Sequence, residues 1–402
     1  MSADVKTVYK LTEVGVIPED WEVKPLYTIC TAILDCHHST PVWTKSGEFV
    51  IRNQNIRDGK LNFSVPSFTD EKHFLERTQR AIPTFGDLII TREAPMGLVC
   101  MIPEGLKCCL GQRMVLLRID QHSTAHRFVL YALLGESVQR YISVVGGTGS
   151  TVSNLRIPVL RGLKIATPKK AEQEVIAEAL SDADALIESL EQLITKKRQI
   201  KQGAMQELLT GKKRLPGFSG EWEVKKLGDV AEVIMGQSPS STNYNTEEFG
   251  LPLIQGNADI VDRKTIKRVF TTEVTRKGKC GDILLSVRAP VGEVSHAVFD
   301  VCLGRGVCAI RTANHFIYHY LISQEPSWAK ISKGSTFDSV NSADVKAFAI
   351  YLPVDSNEQI AIAEILEDMD VEIERLEVKL EKGRQLKQGM MYNLLTGKIR
   401  VV

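Results

Sequence analysis

Two stretches of the chain place apolar residues at alternating intervals of four and three. Ile176, Leu180, Ala183, Ile187, Leu190 and Ile194 form the first series, and Ile362, Leu366, Met369, Ile373, Leu376 and Leu380 the second. This rhythm is the narrow seam of a coiled coil rather than the broad stripe of a helix lying on a globule. It predicts helices over residues 172–209 and 358–395, each about 57 Å long at the helical rise. Pro168 and Pro353 precede the starts, and Gly211 and Gly397 fit the stops. Gly203 and Gly389 lie inside, each costing about 1 kcal/mol against alanine and marking a close crossing or a frayed end.

The remaining chain, residues 1–167 and 215–353, is rich in short β-like runs. Residues 87–91 (Asp-Leu-Ile-Ile-Thr) and 282–286 (Asp-Ile-Leu-Leu-Ser) read as buried strands after a Gly-Asp turn. Residues 127–141 and 316–331 read as one helix each.

These parallels belong to an internal repeat. Trp21-Glu22-Val23-Lys24 recurs as Trp222-Glu223-Val224-Lys225, and Gly86-Asp87 with Ala94-Pro95 and Gly97 recurs as Gly281-Asp282 with Ala289-Pro290 and Gly292. Leu110-Gly111 pairs with Leu303-Gly304, Glu172-Gln173 with Glu358-Gln359, and Leu208-Leu209-Thr210-Gly211-Lys212 with Leu394-Leu395-Thr396-Gly397-Lys398. The landmarks keep their order while the offset drifts, so the chain is a tandem duplication of a globular region followed by a helix. The two regions match at turns and strand ends and differ between them: one scaffold with two variable surfaces.

Charge orients the helices. The first runs from Glu172, Glu174, Glu178, Asp182, Asp184, Glu188 and Glu191 to Lys196, Lys197, Arg198 and Lys201; the second repeats that acidic-to-basic order. Parallel packing sets acid beside acid, whereas antiparallel packing sets acid beside base and suits each helix dipole. The expectation is antiparallel.

Composition narrows the function. The 402 residues carry 50 Lys+Arg against 49 Asp+Glu, a net charge of +1, so this is no cationic module gripping nucleic acid by bulk electrostatics. The length suits several domains. The polar opening residues lack a signal core, no stretch reaches a membrane span, and 8 cysteines fall far below disulfide-scaffold density, which together give a reduced cytoplasmic protein with no membrane partner.

Motifs for catalysis are missing. No Pro-Pro dipeptide occurs, which excludes the adenine-methyltransferase motif; Gly304-Arg305-Gly306 lacks its third glycine; Leu-Thr-Gly-Lys at Lys212 and Lys398 lacks the rest of a P-loop. Glu22-Val23-Lys24 and its copy resemble half of a metal-dependent nuclease site, but read better as a short amphipathic strand opening each domain. The pairs His122/His126 and His315/His319 have helical spacing without a completing ligand set. The expectation is no catalytic residue and no metal site.

On these residues the chain resembles type I restriction–modification specificity subunits. The resemblance rests on residues 168–214 and 353–400, with their Glu-Gln-x-x-Ile-Ala openings (for the second, Glu-Gln-Ile-Ala) and Leu-Leu-Thr-Gly-Lys endings, and on the starts at Ile17-Pro18-Glu19-Asp20-Trp21 and Pro216-Gly217-Phe218. It implies an α+β (mixed α/β) fold: two pseudo-symmetric target recognition domains, 1–167 and 215–353, separated by two long antiparallel coiled-coil helices within 168–214 and 354–402. It also implies a non-catalytic subunit that recognises a bipartite site in double-stranded DNA. Two methyltransferase (modification) subunits are implied as partners, with restriction/translocase subunits joining them. S-adenosylmethionine, ATP and Mg are expected on those partners, with no cofactor in this chain. Pseudo-twofold domains meet half-sites about one DNA turn, roughly 34 Å, apart.

Readout needs Arg, Lys, Gln or Asn on loops, with hydroxyls and glycine amides on phosphate. Arg92 and Arg288 follow the matched strands; Gln112, Arg113 and Arg305 follow the Leu-Gly landmarks; Ser150 and Thr151, and Lys333, Ser335 and Thr336, lie in glycine-hydroxyl loops. The alternative is that residues present in both copies hold the scaffold and base readers lie in unmatched stretches such as 52–60, 73–80 and 257–267. A nuclease or methyltransferase in its own right, and a protein-binding scaffold, are the competing functions.

Overall fold

Runs of four to six β-prone residues bounded by glycine and aspartate become short buried strands. In a computed structural model, which describes residues 8–93, 95–147, 154–332 and 339–401, they assemble with the helices into two compact units. One unit comprises residues 1–190 and 379–402, the other residues 191–378, so each combines one globular region with part of both long helices.

In the first unit, Leu88–Thr91 lies between Val99–Met101 and Met114–Ile119, with Cys30–Asp35 on the outer side of the last, all antiparallel. A second layer runs Cys108–Leu110, Glu48–Ile51, Phe68–Thr69, its first pair parallel. The second unit has the same plan. Ile283–Ser286 lies between Val307–Arg311 and Val294–His296, and Leu251–Ile254 runs parallel to Val301–Leu303. The Gly-Asp turns explain themselves. Gly86 and Gly281 sit at φ +83° and +90°, and the buried Asp87 and Asp282 take bidentate bonds from Arg118 and Arg311.

Each stretch expected to be one helix is two. His126–Leu134 and Glu136–Gly147 break at Gly135, whose backbone is extended (φ −62°, ψ 144°). His315–Ser323 and Glu325–Ser332 break at Gln324, where Pro326 has no N–H to continue the ladder.

The long helices cover Lys170–Leu208 and Ser356–Leu395, starting two residues earlier than the heptads suggest. Every seam residue is buried or half-buried. They pack antiparallel: in the first unit Asp184 pairs with Lys387 at 2.6 Å, and in the second Lys197 pairs with Glu372 at 2.7 Å and Lys201 with Asp370.

The repeated Glu-Gln is structural. Glu172, only 3% exposed, accepts from Trp21 Nε1 (3.1 Å) and from Arg400 Nε and Nη2 (2.5 and 2.8 Å). Glu358, fully buried, accepts from Arg214 Nε and Nη2, both at 2.6 Å. Each unit is thus closed by an arginine from the end of the other repeat's helix. Gln173 and Gln359 donate to Pro168 and Pro353 carbonyls, tying helix start to the preceding strand end.

Candidate nucleic-acid interface

At one end of each unit's β-structure four loops meet, and the same backbone bonds assemble them. Gly111 N donates to Ile51 O (2.8 Å) and Gly304 N to Ile254 O (2.7 Å). Arg92 N donates to Arg113 O (2.8 Å), and Val287 N to Gly306 O (2.9 Å). Cys36 N and Gly236 N donate to Met114 O and Val307 O, both at 3.0 Å. Asn55 and Asp259, both buried, cap matching 3-10 turns by accepting from Arg52 N (3.0 Å) and Gln255 N (2.8 Å). The buried hydroxyls of Thr91 and Ser286 donate to Pro95 O and Pro290 O at 2.7 and 2.8 Å.

This common frame carries different side chains. Arg52 of the first unit stands where the second has Gln255, Gln112 where it has Arg305, Glu93 where it has Arg288, and Arg113 where it has Gly306. The strand-end arginines paired by sequence are therefore not equivalents: Arg92 matches Val287, and Arg288 matches Glu93, through the bridges Glu93–Asn154 and Arg288–Ser339.

Arg92 is 12% exposed and spent internally, with Nη1 on both Asp35 oxygens (2.9 and 2.8 Å) and Nε on Leu155 O (3.1 Å). Gln112 Nε2 donates to His38 O (3.0 Å) and Thr40 Oγ1 (2.8 Å), which fixes its side chain across the loop mouth. Arg113 is exposed, holds φ +70°, a conformation that costs a non-glycine residue, and pairs with Glu93 at 2.9 Å. Arg288 and Arg305 are exposed, and among the described residues their guanidinium groups have no ion pair or hydrogen bond; Arg305 N donates to Ser238 Oγ (3.0 Å). The first cluster is thus partly neutralised and the second presents two unpaired cations. Ser150, Thr151, Lys333, Ser335 and Thr336 lie outside the described residues.

Other stretches have scaffold roles. Residues 56–61 and 260–265 are hairpins whose Lys60 and Lys264 pair with helix residues Glu188 and Glu374, both at 2.6 Å. Arg77 is buried and donates to the carbonyls of Leu110, Ser39 and His37, holding the loop beside Gln112. Sequence reasoning missed Arg52 and Gln255 as a pair. The signal was a further landmark, Asn55-Ile56 with Asp58 and Lys60 against Asp259-Ile260 with Asp262 and Lys264. No metal-holding group of three His, Cys, Asp or Glu occurs among the described residues.

Two pseudo-equivalent units, each presenting a polar loop cluster on a shared frame and joined by paired helices, define a duplicated recognition protein. The sequence model for the family described as type I restriction modification DNA specificity domain matches residues 18–202 and again 219–382. The chain is 31% identical to the putative type I restriction enzyme MjaX specificity subunit of Methanocaldococcus jannaschii, over 98% of this chain and 97% of that one. It is 24% identical to the MjaIX specificity subunit of the same organism, over 87% and 86%. In fold it is similar to the type I restriction–modification S subunit from M. genitalium (TM-score 0.63, 18% identity, 96% and 97% covered). A chain from a structural study of type I R-M complex assembly is similar too (TM-score 0.59, 21% identity, 95% and 99% covered). The chain belongs to the family of type I restriction–modification DNA specificity subunits, the non-catalytic, DNA-binding chains of those systems.

Proposed function

We propose that this subunit reads a DNA sequence in two parts, one per target recognition domain (residues 1–167 and 215–353), and directs partner subunits to it. Methyltransferase subunits, two per chain, methylate adenine at the site it selects, and restriction/translocase subunits cut when the site is unmodified. S-adenosylmethionine, ATP and Mg belong to those partners, and the complex works in the cytoplasm. The observation that carries this reading is the pair of loop clusters with one frame and two sets of polar side chains, since one scaffold reading two half-sites needs that arrangement. Half-buried Gln112 and exposed Arg113, Arg288 and Arg305 are the described candidates for DNA contact.

A second feature supports partner docking. Leu186, Leu193 and Ile200 recur every seven residues along the first long helix, outside its seam, and are 43%, 38% and 47% exposed. An apolar stripe left in water along a helix already paired by another face suits a further protein surface. No helix among the described residues is long and apolar enough to cross a membrane.

The test is long-read mapping of modified adenines in the source strain with and without this gene. A split motif that disappears with the gene is expected. A methylome that does not change overturns the proposal.

A further inference from the structure

The two loop clusters separate frame from reader by their own comparison. Groups that build the frame are kept in both units: Asp87–Arg118 and Asp282–Arg311, the Thr91 and Ser286 hydroxyls, and the capping carboxyl or carboxamide of Asp259 and Asn55. At two neighbouring places on that frame the residue type is exchanged. Directly after the strand-end carbonyl that accepts from the landmark glycine, the first unit has Arg52 and the second Gln255. Directly after that glycine, the first has Gln112 and the second Arg305. A side chain holding the frame has no reason to alternate between guanidinium and carboxamide at a fixed backbone position. A side chain that reads a base does, because arginine matches the O6/N7 edge of guanine while glutamine matches a base that offers an amino group.

We infer that positions 52/255 and 112/305 are the matched base-reading positions of the two half-sites, with arginine and glutamine interchanged between them. This rests on the proposed reading of split DNA. The geometry sharpens the chemistry. Gln112 Nε2 spends both its hydrogens on His38 O and Thr40 Oγ1 and keeps Oε1 as an acceptor, whereas Gln255 Nε2 spends one on Tyr244 OH at 2.9 Å and keeps a second N–H beside the Oε1 acceptor. An oxygen acceptor takes the exocyclic amino group of adenine or cytosine. Arg305 is exposed without a partner among the described residues, and the exposed Arg52 has its guanidinium carbon 4.9 Å from the Trp43 ring centroid and Nη1 3.5 Å from Ser67 Oγ. Each half-site therefore contains one guanine read by arginine and, close to it, one amino-bearing base read by glutamine.

The experiment is selection of bound duplexes from a randomised pool by the subunit assembled with its methyltransferase partners, using wild type, Arg305→Gln and Gln112→Arg. Wild type is expected to enrich a split site. Arg305→Gln should lower the preference for one guanine on the order of ten-fold in one half-site and leave the other half-site as it was. Gln112→Arg should shift one base pair of the opposite half-site toward guanine. Both positions lie on exposed or half-exposed loops outside the cores, so folding is preserved. Uniformly weaker binding with unchanged base preference, the signature of a phosphate contact, overturns the inference, as does a change in both half-sites. A wild-type complex that enriches no site overturns the functional reading itself, and this inference with it.

Discussion

Glu172 is a carboxylate that folding removes almost wholly from water, and the guanidinium of Arg400 makes that burial tolerable. Arg400 also bonds both oxygens of Asp20 at 2.9 Å and holds that carboxyl below its usual range. Arg400→Ala is expected to destabilise the first unit by about 3 kcal/mol, because the remaining buried charge keeps only the Trp21 N–H. Adding Glu172→Gln should recover part of the loss; strictly additive losses in urea unfolding would refute the coupling. His319 behaves differently. It is fully buried, neither ring nitrogen has a hydrogen-bond partner among the described residues, and burial together with Lys201, His296 and His315 pushes its pKa down to about 3. The unfolded ring titrates near about 6.5. Its contribution to stability is therefore complete above that pH and is lost as pH falls from there toward 3, as the unfolded chain takes the proton first. His319→Leu, which installs the residue type of Leu130 in the matching helix, is expected to flatten the acid side of the stability curve. Urea midpoints from neutral pH downward check this, and parallel curves for variant and wild type would refute it.

At the scale of elements, the helix pair was legible because its information is periodic and local. Alternating four-three spacing fixed the seam, and acidic-to-basic order fixed the antiparallel sense. Lys201, whose side chain is 13% exposed, and Asp370 carry that order into contact. Lys201→Glu is expected to lower the melting temperature of the second unit by a few degrees, with Asp370→Lys restoring it in the double variant. Calorimetry that finds no restoration would deny the pairing any role. The breaks at Gly135 and Gln324 had local signals, a glycine in the first stretch and Pro326 in the second, that the apolar residues on either side of them outweighed. The loop clusters were legible only in part: Gln112, Arg113 and Arg305 stood beside landmarks. Arg92 looked the same in sequence, but its fate depends on Asp35, a residue 57 positions away. Arg52 fell inside the unmatched stretch 52–60, but its equivalence to Gln255 rests on a short landmark, Asn55-Ile56 against Asp259-Ile260, and on backbone bonds that different side chains conceal.

At the scale of the molecule, the first compact unit is made of two separate pieces of chain, residues 1–190 and 379–402, and the second is the continuous stretch 191–378 between them. Replacing residues 1–167 with another family member's first domain is expected to change one half-site only, provided the incoming domain keeps a tryptophan at position 21 for Glu172. Methylated-motif mapping checks it, and a change in both half-sites would contradict domain independence. The arrangement also sets an order in time. The first unit begins emerging from the ribosome before the second, yet its closing arginine comes 210 residues after Leu190, a delay of roughly 10–40 s at ordinary synthesis rates. A nascent chain arrested between residues 379 and 400 holds every residue of the second unit while the first still lacks Arg400. The unit begun first is the one sealed last, and its closure waits until every residue of the second unit has been translated.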